Sequence, residues 1–322
     1  MNVTIIGSGN IAHALVACLN KKEIDKIFVL TSHPFKIKRI KTNIEFCEGN
    51  VDIVSNKPEE VIPNSDLIIF TVPANVRKNT IERIAPFVKE NTILGAFPGI
   101  AGFNEEVEEL IKKNINIFAS QRVPYIARVQ EKGSFVNVDK KNEIYIAVKY
   151  DQDEMKDLLN KLLDIKVIIL NDFSEVNLSN SNPILHSARL YDILENEILC
   201  EKEICFYREW TDNASKLLLA MDSEFMQIVK KLGLSIKSLE NHYEVKNYSE
   251  MTKKIKSIES FKSIKTPIKK VKDSYMIDTD SRYFTEDIGK SLNYIKNYAK
   301  KLNIDTPNID RVFNKLKTTM EN

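Results

Sequence analysis

The chain has 322 residues, 43% hydrophobic and 29% charged, which is material for about two packed domains and excludes a globally disordered chain. Lys and Arg number 47 against 45 Asp and Glu, a formal charge of +2, which sets aside a strongly basic nucleic-acid binder. No apolar run approaches the roughly 18 residues of a membrane span. The opening MNVTIIG has neither a basic region nor a long apolar stretch, so no membrane segment and no secretory leader are expected.

The first half alternates strand and helix. Short apolar runs at 3–6, 27–30, 66–73, 91–97, 115–120, 143–149 and 167–170 read as buried strands. Helical spacing appears at 11–19, 75–90 and 104–113. Continuous apolar strands separated by helices predict a mostly parallel, doubly wound sheet covered on both faces, an α/β domain over 1–172. Beyond residue 172 the strand signal stops. Residues 183–199 read as a helix with Asn182 as N-cap and Pro183 in its first position. Residues 214–232 carry an apolar stripe of 3.6-residue period closed by Gly233, and 285–302 form a further amphipathic helix. An all-α domain is therefore expected over 173–322.

Cys18, Cys47, Cys200 and Cys205 make no disulfide framework and read as reduced thiols of a cytoplasmic protein. His13, His33, His186 and His242 lack metal-ligand spacing, so no metal is expected. Residues 253–272 hold eight lysines and a single acid, Glu259. A solvated face is the plain reading, and a rim that attracts anions the sharper one. With Phe261 as its one aromatic, the stretch is not expected to bind nucleic acid.

Gly7-Ser8-Gly9-Asn10-Ile11-Ala12 follows a strand and opens a helix, the context of a dinucleotide fingerprint. Gly7 permits the turn, Gly9 lets a pyrophosphate approach, Ala12 allows close packing, and the helix N-terminus faces the phosphates. The second strand runs into Thr31, Ser32, Lys36, Lys38 and Arg39 without an acid for a ribose diol, so NADP(H) is favoured, with NAD(H) the alternative. His186 falls near the start of a helix, where it can be structural or poised for proton transfer. Thr285 reads as an N-cap with Glu286 and Asp287 in the first turn. These acids either offset the helix dipole, or Asp287 orients a histidine while Arg282 grips a carboxylate.

The motifs GSGNIA, DLIIFTVPA, SQRVPYIAR, LSNSNPILHSARL, FYREWTDNASKLLLAMDSE and DSRYFTEDI resemble the octopine/nopaline (opine) dehydrogenase family along essentially the whole chain. The strongest are N-P-x-x-H at 182–186 and R-Y-x-x-E-D at 282–287. Trp210 follows Glu209 where a glycine is usual in the FYREWTD motif of that family. The resemblance implies a Rossmann domain with an all-helical partner and reductive condensation of an amino acid with a 2-oxo acid. It implies His186 and Asp287 as the catalytic pair and Arg282, Gln121 and Asn182 at the substrate. It further implies Val72, Pro73 and Ala74 beside the cofactor, and a homodimer through the helical domain. A two-domain 2-oxo acid reductase similar to ketopantoate reductase and a non-enzymatic NADP-sensing module are the competing readings.

Overall fold

The apolar runs of the first half become the interior of an eight-stranded sheet. Its strand order is Lys166–Ile169, Glu143–Val148, Asn116–Ser120, Ile93–Ala96, Leu67–Phe70, Asn2–Ile6, Lys26–Leu30 and Ile53–Ser55. All pairings are parallel except that of Glu143–Val148 with Asn116–Ser120. The central strands are buried on both faces, which is why they read as unbroken Val/Ile/Leu/Phe runs rather than alternating ones, while Ile53 and Tyr145 nearer the sheet edges are exposed. The sheet belongs to a computed structural model that describes residues 1–36, 39–196, 203–271 and 274–321.

A second sheet was not legible beforehand. It orders Glu48–Gly49, Ile40–Thr42, Phe135–Lys140 and Tyr125–Glu131. Its strands are short or half-polar, and only alternate residues such as Tyr125, Ala127, Val136 and Val138 are buried. Those residues share one apolar cluster with Ala12, Leu15, Val16 and Leu19, so the helix Asn10–Cys18 is covered by the main sheet on one side and the small sheet on the other. The helix expected over 75–90 spans Ala74–Ile84 and tightens into a single narrow turn, Ala85–Phe87, at Pro86.

The chain divides into two units, Met1–Ser179 and Asn180–Asn322. The division falls after the boundary expected at 172/173 because the short helix Phe173–Asn177 stays with the first unit. Val176 is buried in its core. The Asn177 carbonyl accepts from Ala101 N–H at 3.2 Å and its side-chain oxygen from Gly102 N–H at 2.9 Å.

The second unit is built on the helices Asn182–Asn196, Asp212–Leu232, Tyr248–Ser257, Asn293–Lys301 and Pro307–Glu321. Thr211 caps the second of these through a 3.0 Å bond from Ala214 N–H, and Gly233 closes it at φ +67°. The first was expected to reach 199; residues 197–202, Cys200 among them, lie outside the described residues. Asn182 is its first residue rather than its N-cap. The Ser181 carbonyl accepts the first helical bond from Leu185, and the Asn180 side chain accepts from Asn182 N–H at 3.2 Å. Thr285 is not a cap either: its hydroxyl donates back to the Ser281 carbonyl at 3.1 Å, inside a π-helix running Tyr283–Leu292. A hairpin, Ile268–Val271 with Ser274–Ile277, adds strand to this otherwise helical unit. It carries part of the lysine-rich stretch, whose Lys262, Lys265 and Lys269 pair with Glu259, Glu203 and Asp280 on the surface; Lys272 lies outside the described residues. Among the described residues no helix is long and apolar enough to cross a membrane.

Gly95 faces the Phe118 ring so closely that a Cβ would lie 1.9 Å from Cζ. Gly95→Ala should lower unfolding free energy by about 1–3 kcal/mol, the range for overpacking a tight core. A lower denaturant midpoint with an unchanged slope is the expected reading; an unchanged midpoint would mean that the ring swings aside freely.

Candidate active site

At the end of the first strand the chain turns at Gly7, whose φ is +116° and whose N–H donates to the Leu30 carbonyl at 2.9 Å. A Cβ there would meet the Thr71 hydroxyl at 2.7 Å, whereas a Cβ on Gly9 would meet nothing within 4 Å. The two glycines therefore serve different ends: Gly7 makes the fold possible and Gly9 leaves space above the helix. No side chain caps the first turn of Asn10–Cys18, so its N–H groups remain for an anion. Asn10 instead accepts from Val129 N–H at 2.9 Å, and Ala12 is buried. His13 lies between the Gly9 carbonyl at 3.0 Å and Gly133 N–H at 2.9 Å. Burial, opposed by its bond to the Gly9 backbone, holds its pKa below the usual histidine value. Nδ1–H donates to Gly9 and Nε2 accepts from Gly133, so this ring ties the glycine turn to the second sheet.

Beside the turn is a cavity of about 280 Å³ whose lining includes Gly7, Ser8, Thr31, Ser32, His33 and Arg83. Val72 and Pro73 close its other wall, and Ala74 begins the helix behind them. The empty space at Gly9, the uncapped helix start and this cavity fit the pyrophosphate and ribose of a dinucleotide. Thr31 donates to Ser8 at 2.9 Å, and Ser32 lies 2.9 Å from His33 Nδ1. Of the cations expected from the sequence, Lys36 is exposed outside the lining, Arg39 pairs with Glu48, and Lys38 lies outside the described residues. The cation in the lining is Arg83, sixteen positions after the strand that precedes its helix began, and donating to the Asn56 carbonyl at 3.0 Å. Only the fold brings it beside Thr31.

In the second unit, His186 is 8% exposed and both of its nitrogens are engaged. Nδ1 lies 2.8 Å from Asp287 Oδ2, and Nε2 lies 2.8 Å from the Tyr207 hydroxyl. A carboxylate can only accept, so Nδ1 carries the hydrogen, and Tyr207 donates to Nε2 of the neutral ring. Burial pushes the Tyr207 phenol well above the usual tyrosine value, with Tyr283, Tyr243 and Asp287 adding to it, so it remains a neutral donor. Tyr283 packs on the imidazole at 4.6 Å between centroids, and Phe206 meets it edge-on at 5.8 Å.

The frame around this triad is specific. Arg189, buried on the His186 helix, donates to the Phe206 carbonyl at 3.0 Å, to Asp192 at 2.8 Å and to the Glu209 carbonyl at 2.8 Å. Tyr207 is thus clamped at both flanks. Trp210 stacks with it at 6.0 Å and 6°, and its indole N–H donates to Ser215 at 2.9 Å. On the π-helix, Tyr283 and Asp287 lie four positions apart and both reach His186. Arg282 is exposed and forms a two-point bond to Glu286, Nε lying 2.7 Å from Oε2. Asn182 starts the His186 helix. Gln121 belongs to the first unit, where its amide donates to the Glu175 carbonyl at 3.0 Å. Sequence reasoning named His186, Asp287 and Arg282 but missed Tyr207 and Arg83.

Two family models divide the chain. Residues 169–320 match the NAD/NADP octopine/nopaline dehydrogenase alpha-helical domain, and residues 3–149 match ketopantoate reductase PanE/ApbA. Tauropine dehydrogenase of Arabella iricolor is 24% identical over 357 aligned positions, covering 96% of this chain and 89% of that protein. Opine dehydrogenase of Haliotis discus hannai is 23% identical over 359 positions, covering 97% and 88%. A solved octopine dehydrogenase with NADH and L-arginine superposes with a TM-score of 0.82 at 19% identity, over 100% of this chain and 90% of that one. Over residues 169–320 the chain belongs to the octopine/nopaline (opine) dehydrogenase family. It is a nicotinamide-dependent oxidoreductase acting on CH–NH groups.

In this opine dehydrogenase family member the two loop glycines should separate in experiment. Gly9→Ala should leave thermal stability near that of the parent while weakening nicotinamide-dinucleotide binding, because the added methyl occupies the space above the helix. Gly7→Ala should destabilise the fold by more than about 1 kcal/mol, since its backbone conformation suits glycine alone. Melting temperatures with and without NADPH read both effects; unimpaired cofactor binding by a folded Gly9→Ala protein would contradict the assignment of that space.

Proposed function

We propose that the protein condenses the amine of an amino acid with a 2-oxo acid and reduces the resulting imine, preferring NADPH to NADH, with His186, Asp287 and Tyr207 as its acid/base unit. The observation that carries this reading is the buried imidazole held at 2.8 Å by an acid on one nitrogen and by a phenol on the other. An amine attacks a ketone only as the free base. His186 takes up the proton at Nε2, either as Tyr207 turns aside or through the Tyr207 hydroxyl, and Asp287 stabilises the imidazolium in the manner of a triad acid without a nucleophile. Arg282, released from Glu286, offers a planar fork to the keto-acid or amino-acid carboxylate. Gln121 and Asn182 are assigned to substrate on the family resemblance. The nicotinamide supplies the hydride. Positioning and the cofactor carry most of the barrier reduction.

The cofactor preference rests on the cavity lined by Ser32, His33 and Arg83 without a carboxylate among them. A 2′-phosphate finds there a guanidinium and hydroxyl or ring donors, where a diol would call for an acid.

Incubation with NADPH and a 2-oxo acid, with and without a pool of amino acids, tests the reaction. Amine-dependent oxidation with a condensed product by mass spectrometry is expected; amine-independent oxidation would point to the ketopantoate reductase-like alternative, which the match of residues 3–149 keeps in view. Within the acid/base unit the variants should not add. His186→Ala should lower turnover by about 10²–10⁴-fold, Asp287→Asn by a smaller factor, and the double variant little beyond His186→Ala. Tyr207→Phe should lower turnover while sparing the melting temperature; raised or equal turnover would make Tyr207 a mere occupant of Nε2. Arg83→Gln should weaken NADPH binding by about tenfold or more, as for one charge-assisted bond of about 1.5–3 kcal/mol, and leave NADH binding nearly unchanged. Equal losses for both cofactors would remove the phosphate assignment.

A further inference from the structure

The helix that begins at the glycine turn ends at Cys18, beside a cleft of about 530 Å³. Its lining includes Cys18, Lys21, Phe46, Cys47, Lys140 and Asp164. Cys47 comes from the turn that joins the strands Ile40–Thr42 and Glu48–Gly49. Backbone packing fixes that turn against the helix end: a Cβ on Gly49 would lie 2.0 Å from the Val16 carbonyl oxygen. Thr42 also holds the turn, its hydroxyl donating to the Cys47 carbonyl at 2.8 Å. The two thiols consequently line the same cleft, both half-buried and near enough to shift each other's ionisation. Lys21 donates to the Val16 carbonyl nearby, and Lys140 pairs with Asp164.

The pair is asymmetric. The neighbouring Cys18, with Thr42 and the positive Lys21 and Lys140 assisting against burial, holds the Cys47 thiol below the usual cysteine value. Cys47 in turn, together with burial, pushes Cys18 up. A cleft-facing thiolate next to a neutral partner thiol and two lysines has the make-up of an oxidisable pair.

We propose that Cys18 and Cys47 form a peroxide-sensitive dithiol that closes to a reversible intramolecular disulfide. The Cys47 thiolate attacks one oxygen of a hydroperoxide. The O–O bond breaks, the departing oxygen takes a proton and leaves as water or alcohol, and Cys47 becomes a sulfenic acid. The Cys18 sulfur then attacks the Cys47 sulfur. The S–O bond breaks, water leaves with the Cys18 proton, and the S–S bond forms. The two thiols lose two electrons and the peroxide gains them; a dithiol reductant reverses the change.

The experiment treats the reduced full-length protein with hydrogen peroxide, blocks residual thiols with N-ethylmaleimide and maps the peptides. A Cys18–Cys47 cross-linked peptide, resolved by dithiothreitol, is expected, with the intact mass lowered by two hydrogens. Cys205→Ser should leave the cross-link unchanged. Cys18→Ser should stop Cys47 at a sulfenic acid trapped by dimedone, and Cys47→Ser should leave Cys18 unoxidised. Alkylation of Cys47 should remain rapid at pH 7 and slow as the pH falls below about 6, where its thiolate is protonated. Full maleimide labelling of both cysteines after peroxide, or cross-links through other cysteines, would overturn the proposal. If a serine variant fails to fold, the peptide map of the parent protein still decides.

Discussion

An imidazole with both nitrogens engaged has a single proton to place between them when neutral, and much of the second unit is arranged to settle where it goes. Asp287 fixes it on Nδ1, which turns Nε2 into an acceptor and makes Tyr207 the donor. Protonation of His186 reverses the last bond: Nε2–H must then donate, and the phenol oxygen must accept. Proton uptake through the Tyr207 hydroxyl therefore only re-aims one O–H, whereas direct uptake at Nε2 needs the tyrosine to turn aside. The aromatic ring of Tyr283 and the edge of Phe206 pack against the imidazole and help to bury it. Arg189 keeps the Tyr207 segment from drifting, at the cost of burying a guanidinium that needs several acceptors to satisfy it.

The first unit solves a different problem, how to keep a glycine turn open without letting it collapse. Glycines give the turn its shape but contribute no packing of their own. Stiffness comes from neighbours: His13 bonds to the Gly9 carbonyl on one side and to Gly133 on the other, and Asn10 reaches Val129. Both residues sit on the helix that the turn initiates, and both of their partners sit on the small sheet or its turn. That sheet is thus a brace for the glycine turn. The cis Phe97–Pro98 loop is braced in an equivalent way by Arg77, which donates to Glu106, Ile100 and Ala101.

Much of this was legible in the sequence, and the limits have physical causes. Strands buried on both faces announce themselves as apolar runs, and the turn at Gly7 announces itself because no other residue adopts it without strain. The small sheet was hidden because a strand such as Tyr125–Glu131, half buried and ending in polar residues, carries little signal in a single sequence. The π-helix was invisible because buried Phe284, Ile288 and Leu292 recur every four residues, close enough to an α-helical period to pass for one. Asn182 and Thr285 were misplaced as caps by one to a few residues, since a capping side chain is identified by its bonds and not by its type. His186, Asp287 and Arg282 stood out through their motifs. Tyr207 lies within the quoted FYREWTD motif but was not singled out, because nothing local distinguishes a tyrosine that meets a histidine from one that fills a core; Arg83 lies in no motif, and a surface arginine reads like one beside a cavity.

The bond between His186 and Asp287 spans 101 residues of chain. Bringing such distant segments together requires the intervening chain to be ordered first, because the entropy of closing so long a loop is not offset by one hydrogen bond. The histidine helix and the π-helix pack against each other and against the terminal helix Pro307–Glu321, so the acid/base geometry inherits the cooperativity of the whole second unit. The glycine turn is set by contacts to Leu30 and Thr71 within its own sheet and is held by the bonds of Asn10 to Val129 and of His13 to Gly133, which span 119 and 120 residues. The glycine turn and the His186–Asp287 pair are therefore both long-range constructions, each seated in its own unit. A lesion anywhere in the helical scaffold can disturb the His186–Asp287 pair while leaving the glycine turn of the first unit intact.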